Sequence, residues 1–196
     1  MKRAAVTAFV VFFVIAPAAA LAHSGHDGAG GLVHGFVHPV TGIDHVLAMI
    51  AVGVLAAQYG DRALWLVPMS LLFAMTAAGA IGMAGIPLQI VEAGIGLSIV
   101  VLGLVTAFQI KPPTLVAMVV VGFFALFHGY AHGSEMPNGI AGLSYGAGFL
   151  IATALLLSAG VGLGLLLQRR TLSRRLIQAG GGAMALVGIA VLANFL

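Results

Sequence analysis

Histidine and acidic side chains occur in two short segments of the chain, at spacings that would place several metal ligands side by side. Residues 38–45 read His-Pro-Val-Thr-Gly-Ile-Asp-His, and residues 127–135 read Phe-His-Gly-Tyr-Ala-His-Gly-Ser-Glu. Residues three, four or seven positions apart share one face of an α-helix. Each segment, if helical, therefore aligns histidines with a carboxylate. The candidate ligands of the two segments are His38, Asp44, His45, His128, His132 and Glu135.

These residue types restrict the ion that such a site could take. Imidazole with carboxylate suits divalent nickel, zinc, copper or cobalt, whereas calcium and magnesium prefer shells of oxygen. The chain contains no cysteine, which excludes disulfides and thiolate sites and argues against copper(I). A single histidine at a helix end is usually an interfacial residue. A relay of protons through several histidines is a second alternative to metal binding. The clustering of imidazoles with carboxylates nevertheless favours a bound cation.

The elements that carry these segments are predicted to lie in a membrane. Of the 196 residues, 61% are hydrophobic and 7% are charged, whereas soluble domains carry roughly 25% charged residues. Six apolar stretches approach the roughly 20 residues that span a bilayer. We place them at 39–58, 63–84, 87–109, 114–133, 141–167 and 176–195. The predicted fold class is an all-α membrane protein with six transmembrane helices after an N-terminal signal peptide.

The chain before the first span divides into two parts. Residues 1–22 have the positive start, short apolar stretch and small-residue cleavage site of a signal peptide, with an uncleaved helix as the alternative. Residues 23–38 form a glycine- and histidine-rich lead, which we expect to be flexible and periplasmic. Residues 39–196 form the transmembrane domain. The lead offers metal-capture candidates, or else is a plain tether; these candidates are His23, His26 and His34.

The basic residues predict the orientation of the spans. If the lead lies outside, the first, third and fifth connections are cytoplasmic, and they hold every basic residue that follows the signal peptide. These residues are Arg62, Lys111, Arg169, Arg170, Arg174 and Arg175. The pattern obeys the positive-inside rule and predicts a bacterial inner-membrane protein with both termini in the periplasm. The basic residues form no patch for nucleic acid.

With this orientation, the ionisable residues fall near the outer side of the membrane. At about 1.5 Å per residue, one group lies roughly 6–9 Å inside the outer boundary; it comprises Asp44, His45, Glu92 and His128. A second group surrounds the mouth above it; it comprises His38, His132 and Glu135. A charged side chain inside a span costs about 2.5–3.5 kcal/mol even on the lenient insertion scale. A cation bound among these residues would offset that cost.

The two motifs, residues 38–45 and 127–135, resemble those of the HupE/UreJ family of small membrane proteins, and the likeness covers the whole chain. This family is associated with hydrogenases and ureases and is taken to supply nickel by transport across the inner membrane, with cobalt proposed for some members. The resemblance implies metal roles for the histidines and acids of both motifs, a transported Ni²⁺ or Co²⁺, and no permanent cofactor. Glu92 belongs to neither motif and rests on its depth alone.

Other function classes remain as alternatives. Residues 142–146 match the G-x-S-x-G pattern of serine hydrolases, but that motif needs a strand-to-helix elbow and here it opens an apolar span. A zinc-dependent intramembrane hydrolase and a membrane metal sensor or chaperone subunit are the other candidates. No ATP-binding motif is present, so we expect a facilitator or a secondary carrier and no enzyme. Histidine ligates only when neutral, so uptake should fall as the pH drops through about 6. A homo-oligomer or a cytoplasmic metallochaperone partner is left open.

Overall fold

The computed structural model describes the backbone of residues 28–136, 139–167 and 171–193, and this part of the chain contains helices and no strand. The all-α prediction is confirmed. The helices are α1 Gly28–Thr41, α2 Ile43–Tyr59, α3 Ala63–Met83, α4 Val91–Ala107, α5 Thr114–Ser134, α6 Ile140–Leu167 and α7 Thr171–Ala193. The predicted signal peptide (1–22) and the lead residues His23 and His26 lie outside the described residues.

In the described part of the chain, fewer helices qualify as membrane spans than the six that the sequence predicts. Among the described residues, α3, α5, α6 and α7 are long and apolar enough to cross a membrane, and α1 with α2 adds a fifth if this bent pair is one span. The chain is a membrane protein, but six spans are not confirmed. The predicted span 87–109 contains the 17-residue α4, because residues 84–90 form turns and irregular backbone instead of helix. The Tyr130 hydroxyl donates to the Ile86 carbonyl and holds this stretch against α5.

The first predicted span, 39–58, is not one straight helix. α1 ends at Thr41, Gly42 has extended backbone with φ −77 and ψ 111, and α2 leaves the break at an angle of 77° to α1. Pro39 lies inside α1, where its missing N–H removes one helical hydrogen bond just before the break. The break separates His38 from His45, which the sequence analysis placed on one helix face.

The lead is also more ordered than expected, since it is helical from Gly28 onward. Its glycines permit close packing on α6. A Cβ on Gly35 would collide with the Tyr145 carbonyl, and a Cβ on Gly148 would collide with the Leu32 carbonyl. Two helix backbones can approach this closely only where small residues line the contact. Packing against α6 therefore overrides the low helix propensity of glycine.

The helices pack in pairs around a buried α2. α1 and α2 both pack on α6, α3 packs on α5, and α4 packs on α7. Residues 51–58 of α2 are all buried, so this helix forms the centre of the bundle. Large apolar side chains such as Trp65 and Phe73 are exposed on the perimeter, as expected of a surface that faces lipid.

Candidate metal site

Three side chains meet where the C-terminal ends of α1 and α5 come together. His38 Nε2 lies 3.1 Å from His132 Nδ1 and 3.3 Å from Glu135 Oε2. His132 Nδ1 lies 4.0 Å from the same carboxylate oxygen. One ligand atom from each residue lies within 4.8 Å of the other two. We call these three residues the outer trio.

The spacing of the two histidine nitrogens in the outer trio suits ligands of one small cation. Two nitrogens each bound at about 2.0–2.1 Å, at tetrahedral or right angles, lie about 2.8–3.4 Å apart. The distance of 3.1 Å between the His38 and His132 nitrogens falls in this range. The Glu135 side chain is 60% exposed and that of His132 is 12% exposed. The outer trio is thus accessible to solvent on the Glu135 side and shielded by the protein on the His132 side.

Two further histidines lie deeper in the protein. His45 on α2 is 0% exposed and His128 on α5 is 2% exposed. Each has one ring nitrogen with a contact: His45 Nε2 lies 3.1 Å from Thr153 Oγ1, and His128 Nδ1 lies 3.4 Å from the Phe124 carbonyl. The other nitrogens, His45 Nδ1 and His128 Nε2, have no hydrogen-bond partner among the described residues. We call these two histidines the inner pair.

The outer trio and the inner pair are joined through His132. The ring centroids of His38 and His132 are 4.9 Å apart, and those of His132 and His45 are 5.2 Å apart. The step from His45 to His128 is 5.9 Å. The four imidazoles therefore form a continuous file from an exposed end to a buried one. It is assembled from α1, α2 and α5, with His132 at its junction.

Comparison with known proteins places the chain in a family. Residues 11–191 match the family model described as HupE / UreJ protein. The chain belongs to the HupE/UreJ family. It is similar to Protein HupE of Rhizobium leguminosarum bv. viciae, with 42% identity over 192 residues that cover 98% of this chain and 99% of that relative. No solved structure matches the chain. The family predicted from the two motifs is confirmed.

The structure places the remaining predicted site residues of this HupE/UreJ family member differently. Asp44 is half-buried in the first turn of α2, with Oδ1 folded back toward Gly42, and it lies within electrostatic range of His128. Glu92 is exposed in the first turn of α4. No hydrogen bond or ion pair joins Glu92 to a histidine in the described ranges. Glu92 points away from the bundle interior. Equal depth along separate helices therefore does not by itself bring side chains together. His34 is exposed on α1.

α6 lines the histidine file, which the sequence analysis did not predict. Phe149 packs against His132 and His45, with ring centroids 4.5 and 5.1 Å away. Tyr145 lies 5.9 Å from the His38 ring. With Thr153 these residues form one stripe at intervals of four. A threonine on the same face as two aromatic residues, in an otherwise apolar helix, is the signal that could have identified this face.

The G-x-S-x-G match does not form the elbow that a serine nucleophile needs. Residues 142–146 lie entirely within α6, and no strand precedes them in the described part of the chain. Helical backbone does not present the serine on the strained strand-to-helix turn of that motif. The serine hydrolase alternative therefore has no structural support.

A half-open cavity borders the histidine file. It has a volume of about 380 Å³ and lies between α3, α5 and α6. His132 and Thr76 are among the residues of its largely apolar lining. Three methionines also line it: Met75, Met83 and Met136. His132 thus borders this cavity as well as the rings of His38 and His45.

The end of α2 opposite the histidines carries polar groups buried among apolar residues. Gln58 is 9% exposed, and neither atom of its amide has a hydrogen-bond partner among the described residues. The Tyr59 hydroxyl and the Thr106 hydroxyl are likewise unpaired. Neither Gln58 nor Tyr59 is predicted from the sequence as a site residue. Buried polar groups without partners are costly, so these side chains place polar atoms in the bundle interior at a cost to stability.

Proposed function

We propose that this protein carries a divalent transition metal ion across the bacterial inner membrane into the cytoplasm, as a facilitator or secondary carrier. Nickel is the favoured cargo and cobalt the alternative, on the basis of the HupE/UreJ resemblance. The observation that carries the proposal is the file of four imidazoles that begins at the outer trio and ends at the inner pair. The proposed orientation has both termini in the periplasm, as the basic residues indicate.

The outer trio would capture the ion. The exposed carboxylate of Glu135 attracts a hydrated cation, and the nitrogens of His38 and His132 replace part of its water shell. Late divalent metals bind imidazole well, whereas hard cations such as magnesium keep their water and prefer oxygen. The trio therefore selects by ligand type. Its exposed side leaves room for water to complete the coordination.

The inner pair would receive the ion after it loses more water. His132 packs against His45, so the ion can exchange one imidazole for the next without leaving the file. The unpaired nitrogens of His45 and His128 would gain a partner from a cation. Two neutral ligands without a charged carboxylate in direct contact bind only moderately, and conduction requires moderate binding. Asp44 adds a negative charge near the inner pair.

A flux assay on the purified full-length protein tests the proposal. The protein is reconstituted in liposomes that contain a nickel-sensitive dye, and uptake is followed after Ni²⁺ is added outside. We expect saturable uptake by the wild type, strong loss in His45→Ala, and wild-type uptake in the control Ser158→Ala, whose exposed hydroxyl donates to the Ala154 carbonyl within α6. Absence of saturable nickel or cobalt uptake by well-folded wild-type protein would overturn the proposal.

A further inference from the structure

The hydroxyl of Thr153, on α6, lies 3.1 Å from Nε2 of His45. Both side chains are completely buried, with 0% exposure. The two residues are 108 positions apart in the chain, so only the packing of α2 on α6 brings them together. The second ring nitrogen of His45, Nδ1, has no hydrogen-bond partner among the described residues.

The hydrogen bond bears on which nitrogen of His45 carries the proton. A neutral imidazole has one N–H donor and one acceptor nitrogen, and a hydroxyl can serve either of them. If Nε2 holds the proton, Nε2–H donates to Thr153 Oγ1, and Nδ1 presents a lone pair. In the other tautomer, Thr153 donates to Nε2, and Nδ1–H is a buried donor without an acceptor. Only the first arrangement leaves an atom that a cation can satisfy.

We propose that Thr153 is a positioning residue that holds His45 in the tautomer and ring orientation in which Nδ1 binds the transported metal. This inference rests on the proposed function. Histidine ligands of metals usually donate their other ring N–H to an oxygen that fixes the ring, and Thr153 supplies that oxygen here. Phe149, one turn earlier on α6, packs against the same ring at 5.1 Å and restricts its rotation.

Two substitutions separate the hydroxyl from the shape of the side chain. Thr153→Val removes the oxygen but keeps the branched shape, whereas Thr153→Ser keeps the hydroxyl and removes a methyl group. Ni²⁺ affinity is measured by calorimetry on the full-length protein in detergent, after gel filtration verifies folding. We expect Thr153→Val to weaken binding by about 10- to 100-fold, as for other outer partners of metal ligands. Thr153→Ser should stay close to the wild type.

A matched control lies on the same helix. The Ser158 hydroxyl is exposed and donates to the Ala154 carbonyl within α6, so Ser158→Ala removes a hydroxyl that does not touch a histidine. Its Ni²⁺ affinity should equal that of the wild type. X-ray absorption of the bound nickel counts its imidazole ligands, and a merely structural role of Thr153 would not change that number. Thr153→Val should show fewer imidazole ligands than the wild type and Ser158→Ala should not.

The outcomes distinguish this inference from the function on which it rests. If the wild type binds neither nickel nor cobalt, the proposed function itself fails. If the wild type binds nickel and Thr153→Val binds it equally well with the same ligand count, the role of Thr153 is overturned and the proposed function stands. Equal weakening by Val and Ser would also overturn it, because the loss would then follow side-chain shape and not the hydroxyl.

Discussion

Nε2 of His38 and Nδ1 of His132 lie 3.1 Å apart, although the two residues are separated by 94 positions in the chain. This contact joins α1, which precedes the break at Gly42, to the end of α5. The short distance requires that one nitrogen donates to the lone pair of the other, or that both share a cation. It connects the two histidine motifs directly, and His132 continues the connection to His45.

His132 should be the most sensitive position of the histidine file, because its ring contacts both His38 and His45. His132→Ala removes a ligand of the outer trio and the step to the inner pair. We expect nickel uptake in liposomes to fall more in His132→Ala than in His38→Ala, whose ring lies at the exposed end of the file. Equal uptake by the two variants would contradict a sequential path through His132.

The two glutamates near the outer side should behave differently. Glu135 lies 3.3 Å from the His38 nitrogen, whereas Glu92 is exposed on α4 without a described contact to the histidines. We expect Glu135→Gln to weaken Ni²⁺ binding by about tenfold, which corresponds to about 1.4 kcal/mol, because a charged ligand becomes neutral. Glu92→Gln should leave the affinity unchanged. Calorimetry on both variants measures these affinities, and a larger effect at Glu92 than at Glu135 would support the site predicted from depth.

The packing of α1 against α6 should depend on Gly35. A methyl group added there would collide with the Tyr145 carbonyl, so Gly35→Ala must push the helices apart, at a typical overpacking cost of about 1–3 kcal/mol. Thermal unfolding in detergent should show a lower Tm and weaker nickel binding, because His38 moves with α1. The control is Gly162→Ala on α6, since nothing lies within 4 Å of a Cβ there. An equal change in both variants would show that the contact does not matter.

The predicted orientation can be tested with introduced cysteines, since the chain has none of its own. His34 and Lys111 are both exposed and are expected on opposite sides of the membrane. His34→Cys should react with a membrane-impermeant maleimide in spheroplasts, whereas Lys111→Cys should react only after the membrane is opened. Labelling of Lys111→Cys in intact spheroplasts would reverse the topology derived from the basic residues.

Much of the fold class and the identity of the family were predictable from the sequence. Composition alone indicates a helical membrane protein, because a chain with few charged side chains cannot cover a surface with water-facing groups. The four-residue spacing of His128 and His132 places them on one face of α5, because that relation depends only on helix geometry. The match of residues 38–45 and 127–135 to one family is likewise a property of the linear chain.

The arrangement of the site was decided by the tertiary structure. The break at Gly42 places His38 and His45 on separate helices, so they reach His132 from different directions instead of sharing a face. Thr153 joins His45 because α2 packs on α6, and Glu92 is left outside because α4 turns it away. Helical periodicity acts over a few residues and can be deduced locally. Contacts between helices depend on the shapes of both surfaces and on where glycines allow close approach, and these are settled only when the whole chain is packed.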